Sequence, residues 1–432
     1  MPTDRLRDPR VQIVAVAVGA LALRTVAIVT WTRHLGVAGD QVFYHHQGQD
    51  LADWLGFTYR HPAGEQITTA VHPPLHGAVL GLASLLGGES VTAHRLVGAV
   101  LGAATAAVAG LVGLRVAGRR AGVAAAVIVA VAPTLWINDS QVLSESSYAL
   151  AVALVLLASV ELVRRPTPLA AAGLGAAVAL ATLARAEAAL LVVVLVVPLV
   201  VALGRRPPAD RGRVALLGWV VLAGLAVAGP WVARNLVSFD RPATVSTGGG
   251  FVLEIASCDA TFEGDQLGYW SATCDRTSWE PGDETATEAA KRATGTAYVG
   301  EHLDRLPVVV AARVGRLWDV WRPNESVVLN DVFERRGRAP SWWAIRVWWA
   351  VLALAVAGAW ALRRRPALLV PFAAVAVTTT VAAAASFGIT RYRTGLEVAT
   401  AVLAAIGVDA VVAWWVARGR RPAPDAPVGV ET

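Results

Sequence analysis

The residues able to do chemistry fall into short groups set between long greasy runs. After the first apolar run come Gly39-Asp40-Gln41, then Tyr44-His45-His46, Asp50, Asp53, His61 and His72-Pro73-Pro74-Leu75-His76. Further along stand Asn138-Asp139, Ser144-Glu145, Arg185-Ala186-Glu187, Arg234-Asn235 and Arg391-Tyr392-Arg393 with Glu397. A carboxylate such as Asp40 can take a proton from an attacking hydroxyl or amine. The same residue directly after a glycine also reads as a helix cap. The arginines suit an anionic partner, because a guanidinium fork matches phosphate oxygens while its stem tolerates an apolar setting. They could equally pair with Asp40, Glu145, Glu187 and Glu397 to hold helix ends together. Five of the eight histidines lie in the first group. Their spacings match no zinc signature of the H-E-x-x-H kind and no cysteine is near, so turn and substrate-contact roles are expected for His72 and His76, with no metal or other cofactor.

These groups must be held by membrane helices. Of the 432 residues, 55% are apolar and only 16% are Asp, Glu, Lys or Arg. A span needs about 20 apolar residues to cross roughly 30 Å of hydrocarbon. Runs at 11–32, 96–114, 121–137, 143–163, 168–184, 187–203, 214–233, 341–362, 366–387 and 395–417 meet that requirement. The expected fold is an all-α polytopic membrane protein of about ten transmembrane helices. Disorder, a coiled coil and an outer-membrane barrel are excluded, because the runs are long and do not alternate with period two. Every second connection carries arginines, among them Arg10, Arg115, Arg164, Arg205 and Arg363 to Arg365. The positive-inside rule then predicts a multi-pass protein of the plasma membrane with both termini cytoplasmic.

That topology places all the chemistry-bearing groups outside, and there Arg185, Arg234, Arg391 and Arg393 run against the charge bias. The run 73–88 is too short to span and reads as a re-entrant or surface-lying helix. Residues 1–32 read as an uncleaved first helix, since the run is long, contains Arg24 and lacks a small-residue cleavage site. A net charge of +6 without a basic face interleaved with aromatics excludes a nucleic-acid partner.

The chain then divides into four regions: an N-terminal membrane region over residues 1–233 with a first outer loop 33–95, a second outer loop region 234–340, transmembrane helices over 341–417, and a cytoplasmic tail 418–432. The second loop holds both cysteines, Cys258 and Cys274. An oxidising compartment permits a disulfide between them, and two free thiols are the alternative. In the same region Val310, Val314, Leu317, Trp318 and Trp321 form a helical stripe opposite Arg313, Arg316 and Asp319, which predicts an interfacial helix.

Taken in order, Asp40 after the first helix, the loop with Tyr44, His72-Pro73-Pro74-Leu75, Ser144-Glu145, Arg185-Ala186-Glu187, Pro230-Trp231 with Arg234-Asn235, and Arg391-Tyr392-Arg393 resemble the GT-C superfamily of membrane glycosyltransferases. More narrowly the chain is similar to protein O-mannosyltransferases and the lipid A aminoarabinose transferase. The stretch Cys258 to Thr261 through Leu267 to Trp270 resembles their actinobacterial relatives. The resemblance implies an inverting transferase that uses a polyprenyl-phosphate-linked sugar, with an acceptor glycan, lipid or protein. It makes Asp40 the candidate base and Arg391, Tyr392 and Arg393 candidate contacts to the lipid phosphate. Tyr44, His72, Glu145, Arg185, Glu187 and Arg234 join them as candidate substrate contacts. Many relatives carry a second acid after the Asp, where Gln41 stands here. Two alternatives belong to other classes: a lipid or lipid-linked sugar flippase, which would place ionisable groups near the bilayer midplane, and a non-catalytic cell-envelope assembly subunit.

Overall fold

The computed structural model describes residues 7–60, 66–203, 210–280 and 283–419. His61, Arg205, Arg206 and the tail from residue 420 lie outside them. The chain is an all-α polytopic membrane protein. Among the described residues, eight helices are long and apolar enough to span a bilayer: α1 (Pro9–Thr30, with the turn that follows it), α4 (Val91–Ala117), α7 (Glu145–Arg164), α9 (Ala186–Leu203), α10 (Asp210–Ser238), α15 (Arg338–Leu362), α16 (Pro366–Ala385) and α17 (Thr394–Gly419, with the turn before it). Two of the ten expected spans differ. The run 121–137 is a pair, α5 (Arg119–Val131) and α6 (Pro133–Asp139), bent by 58°, and α8 (Pro168–Ala184) is an apolar helix of only 17 residues. The run 73–88 is the short helix α3 (Leu75–Leu85), in keeping with its length.

The bend has a clear cause. Pro133 has no N–H to give the Val129 carbonyl, so α5 must stop before it. Arg24 of α1 reaches into the gap: Nη1 donates to the Ala130 carbonyl at 2.9 Å, Nη2 to that of Val129 at 3.3 Å, and Nε to Asp139 at 2.7 Å. Arg24, deep inside the first span, is thereby fully enclosed, with its charge paired and its N–H groups used on carbonyls that the break exposes. Gly102 of α4 makes the room, since a Cβ there would lie 2.0 Å from Asp139 Oδ2 and 2.4 Å from Arg24 Nε.

Elsewhere the helices approach through small residues, the usual solution where lipid offers no hydrophobic drive to associate. α15 and α17 cross at Gly358 and Gly407, each against the backbone of the other helix. α7 lies at the centre, buried along most of its length.

Two loops gather at the end of the bundle that carries Asp40 and Glu145. The first contains α2 (Asp40–Ala52), the hairpin β1 (Thr58–Arg60) and β2 (Gln66–Thr68), and α3. α2 and α3 run side by side in the same direction, Gln47 meeting Gly77 and Leu51 meeting Gly81. The second contains α11 (Gly249–Ile255), α12 (Glu284–Glu301), α13 (Leu306–Leu317) and α14 (Pro323–Val332). Here Cys258 and Cys274 form a disulfide.

α13 covers the expected interfacial helix, but its charged side is packed as well as its apolar stripe. Arg313 donates to the carbonyls of Ala256 at 2.8 Å and Ala384 at 3.2 Å, and Arg316 to that of Leu267 at 2.7 Å with Glu325 as its ion pair. Asp319, just beyond the helix, is likewise buried, and so is Leu317 of the apolar stripe, whose other members Val310, Val314, Trp318 and Trp321 are half-buried. A guanidinium offers five donors, and loop carbonyls that no helix satisfies supply the acceptors.

Removing either member of a buried ion pair strands the other charge. Arg24→Leu and Asp139→Leu are each expected to lower stability by about 3–5 kcal/mol. The Arg24→Leu/Asp139→Leu double variant should lose less than the sum. Thermal unfolding in detergent reads all three, and additive losses would show that the two residues act independently.

Candidate active site

Asp40 opens α2. Gly39 before it has φ +53°, a conformation that favours glycine, and this turns the chain so that the helix begins on the carboxylate. Arg391 sits on the 3₁₀ turn Thr390–Arg393 that leads into the last span. It is 351 residues away in sequence, and its Nη2 donates to Asp40 Oδ2 at 2.8 Å. Arg391 Nε also lies 3.4 Å from Glu334 Oε2 and 3.7 Å from Glu145 Oε1. Glu145, the first residue of α7 and 1% exposed, accepts from Arg185 Nη1 at 2.8 Å through the same Oε1, while its Oε2 has no partner among the described residues. Arg185 Nε donates to Glu187 at 2.5 Å, and its guanidinium lies over the Tyr392 ring at 4.1 Å.

The result is a chain of alternating charge. Four carboxylates, Asp40, Glu145, Glu187 and Glu334, surround Arg185 and Arg391, with Tyr392 packed against both guanidiniums.

Tyr44 lies one turn along α2 from Asp40 and is buried against His72, their ring centres 5.1 Å apart. Phe43 packs on the same imidazole edge to face at 4.8 Å, beside Tyr44, and His72 Nε2 is 3.7 Å from Asp40 Oδ1. Burial pushes the His72 imidazole below its usual range, with Asp40 opposing that. Burial also raises the Asp40 carboxyl, but Arg391 and then His72 outweigh it, and the carboxyl is lowered to about 2.

Of the residues singled out from sequence, Asp40, Tyr44, His72, Glu145, Arg185, Glu187, Arg391 and Tyr392 come together. Arg234 and Arg393 do not join them. Arg234 gives its guanidinium to the carbonyls of Thr69 at 3.1 Å and Phe57 at 3.3 Å and packs over Trp231. Arg393 is fully enclosed, bonded to Asp319 at 2.5 Å, Glu397 at 2.7 Å and the Leu317 carbonyl at 2.9 Å, over the Trp348 ring. Two residues apart on a 3₁₀ turn, the side chains of Arg391 and Arg393 leave about a third of a turn from each other.

Three polar residues that the sequence did not single out support the site. Glu334 reaches Arg391, and Arg336 donates to Asn138, whose Nδ2 in turn donates to Thr394 Oγ1 at 2.6 Å. Between Glu334 and Arg336, Arg335 has φ +52°, a strained conformation for a side-chain-bearing residue that turns the chain sharply. No spacing signal marks Glu334, one charged residue among many in a long loop.

The histidines of the first loop disperse: His45 faces His94 at 3.1 Å, His76 bonds Ser147 at 2.9 Å, and His72 faces Asp40. Among the described residues no three of His, Cys, Asp and Glu gather as metal ligands. Gln41 is buried beside Asp40 with its Oε1 unpartnered.

Comparison with known proteins gives a family match and a fold. Residues 71–233 match the family model described as dolichyl-phosphate-mannose-protein mannosyltransferase, which is less than half of the chain. No curated protein matches. The crystal structure of the Archaeoglobus fulgidus oligosaccharyltransferase complexed with zinc and sulfate is 13% identical with a TM-score of 0.55, over 93% of this chain and 50% of that one. The same organism's oligosaccharyltransferase AglB, in complex with an inhibitory peptide and a dolichol-phosphate, is 13% identical with a TM-score of 0.54, over 96% and 52%. ArnT from Cupriavidus metallidurans bound to undecaprenyl phosphate is 20% identical with a TM-score of 0.43, over 98% and 82%. The fold is thus similar to that of the archaeal oligosaccharyltransferases, and the chain spans about half their length.

The charge on Arg391 is what holds Asp40 ionised down to about 2. In Arg391→Ala the Asp40 carboxyl should therefore titrate well above that value, because burial then acts with less opposition. Infrared titration of the carboxyl band that disappears in Asp40→Asn measures the shift. An unmoved band would mean that Arg391 does not govern this carboxylate.

Proposed function

We propose that the protein is a membrane glycosyltransferase that moves a sugar from a polyprenyl-phosphate-linked donor to an acceptor hydroxyl or amine, with inversion. The resemblance of the motifs, the match over 71–233 and the oligosaccharyltransferase-like fold support a transferase of this class. The observation that carries the reading is the 2.8 Å contact between Asp40 and Arg391, brought together from opposite ends of the chain. One phosphosugar headgroup can touch both a proton acceptor and a cation suited to phosphate.

In this reading the lipid phosphate takes the Arg391 and Arg185 guanidiniums, whose planar forks match its oxygens. Asp40, then relieved of its arginine, becomes a better proton acceptor. The acceptor oxygen or nitrogen bonds to the anomeric carbon as the carbon–oxygen bond to the phosphate breaks, and the acceptor's proton passes to Asp40. The bonding electrons leave with the polyprenyl phosphate. The arginines stabilise the charge that grows there. A single carboxylate suffices for such a displacement, which fits Gln41 in place of a second acid.

His72, packed against both Phe43 and Tyr44, orients the Asp40 carboxylate. The arginine-bearing connections support an extracytoplasmic site in the plasma membrane, with both termini cytoplasmic. Acceptor glycan, lipid and protein all suit the mechanism. The tie between Arg24 and the Pro133 break favours the transferase over a flippase, since the charge deepest in the first span is committed to backbone carbonyls and Asp139.

A base acts chiefly in the transition state, so Asp40→Asn should lower sugar transfer by about 10²–10⁴-fold and leave donor binding intact. Arg391→Ala should weaken donor binding and turnover together, because its contact is made in both states. Transfer assayed with purified protein and radiolabelled polyprenyl-phosphate mannose, with binding measured separately, distinguishes the two. Near-normal transfer by Asp40→Asn would remove Asp40 as base.

A further inference from the structure

Glu284 opens α12, in the second loop, yet its carboxylate is buried against the first. It is 2% exposed. Oε2 accepts from Thr69 Oγ1 at 2.7 Å, and Oε1 accepts from the Ala70 N–H at 2.6 Å and from Thr247 Oγ1 at 2.8 Å. Around it the two loops lie zipped together. The Thr247 N–H donates to the Ala70 carbonyl at 2.9 Å, and Ser246 Oγ to the Val71 carbonyl at 2.5 Å. A Cβ on Gly248 would stand 2.7 Å from that same Val71 oxygen. From the other side Arg234 holds the Thr69 carbonyl, and Asn235 beside it holds the Thr244 carbonyl at 2.7 Å.

The clamped residues, Thr69 to Val71, run straight into His72-Pro73-Pro74. Only Val71 separates Ala70 from His72, and Pro73 restricts the His72 backbone, so a shift at Ala70 has little chain in which to be absorbed before it reaches His72. His72 is the residue that faces Asp40, and the mechanism has no other use for a buried carboxylate so far along the chain.

We propose that Glu284 is a positioning residue of the transfer site: together with Arg234 it clamps Thr69–Val71 of the first loop against Thr247 of the second and so sets where His72 stands against Asp40. Its effect on turnover rests on the glycosyltransferase reading, while its effect on His72 does not. Misplacing a group at a reacting centre by about 1 Å costs on the order of 10²-fold in rate. The loss belongs in kcat, because Glu284 makes no contact with the phosphate-facing arginines.

The test compares Glu284→Ala with Glu284→Gln in the full-length protein in detergent. The glutamine keeps an oxygen for the Ala70 N–H and an amide for one threonine hydroxyl. Glu284→Ala should lower kcat at least about tenfold with donor KM within about threefold, and Glu284→Gln should restore most of that loss. Donor-free NMR of carbon-13-labelled histidine, with His72 assigned through His72→Gln, supplies a readout independent of activity. In Glu284→Ala the imidazole should leave its packed position and titrate closer to the ordinary 6.5. An unchanged His72 titration in Glu284→Ala overturns the proposal. So does a Glu284→Gln variant as impaired as the alanine one. If the wild type transfers no sugar but His72 moves as expected, the clamp stands and the glycosyltransferase reading fails. Should Glu284→Ala not fold, Thr69→Val removes one of the three bonds from the loop side and is read in the same way, with a smaller shift of the same sign supporting the clamp and none overturning it.

Discussion

A charge buried at the end of a helical bundle must find a partner or lose its ionisation, and this requirement organises the whole site. Arg391 meets it with three carboxylates that come from three other segments: Asp40 from the first loop, Glu145 from the start of α7, and Glu334 from the second loop. No one of the four segments could be moved alone without leaving a charge unpaired. The last span, the central span and both loops are thereby held in one register. Because the contacts are charge-assisted, they are also the ones a phosphate is able to replace.

The same logic operates one layer deeper. Asn138 and Asp139 close the short helix α6, and each reaches outward, Asp139 to Arg24 of the first span and Asn138 to Thr394 at the start of the last. The polypeptide then passes through Ser140 to Ser144 and presents Glu145. The proline break in the third apolar run is what sets that geometry. A straight helix through residues 121–139 would carry Asp139 along the axis of α5 instead of turning it by 58°. The cost of interrupting a helix inside the bilayer is offset by Arg24, whose donors satisfy the carbonyls left open.

Much of this was legible in the sequence, and the unreadable features share a cause. Apolar run length gave the spans, since lipid thickness constrains length directly. It did not reveal the break, because Pro133 sits inside a run whose composition is unchanged around it. The arginines at 185 and 391 stood out by running against the charge bias, and both face the site. Arg234 and Arg393 stood out for the same reason and serve as structural ties. Composition reports that a guanidinium is present and not which way the chain turns it. Glu334 and Glu284 were invisible for a related reason, since each acts across the fold from a loop with no periodicity to set it apart. The helical stripe in α13 marks the helix as amphipathic, but the packing of its charged side depends on loop carbonyls that no local pattern encodes.

The difference between the two arginines of the last turn shows which ion pair can serve exchange and which can only hold. Arg393 and Asp319 are both shut off from water, each at 0% side-chain exposure. Opening that pair would strand two charges in an apolar surround, at a penalty of several kcal/mol per ion even after relaxation. Arg391 and Asp40 keep 13% and 34% exposure. Water can hydrate either one as it separates, and screening weakens the attraction between them. On the proposed reading, an incoming phosphate would therefore meet one guanidinium that can be released and one that cannot. The enclosed pair fixes the turn and the half-open pair is the one left free to exchange, so on the proposed reading the step of two residues from Arg391 to Arg393 divides anchoring from chemistry.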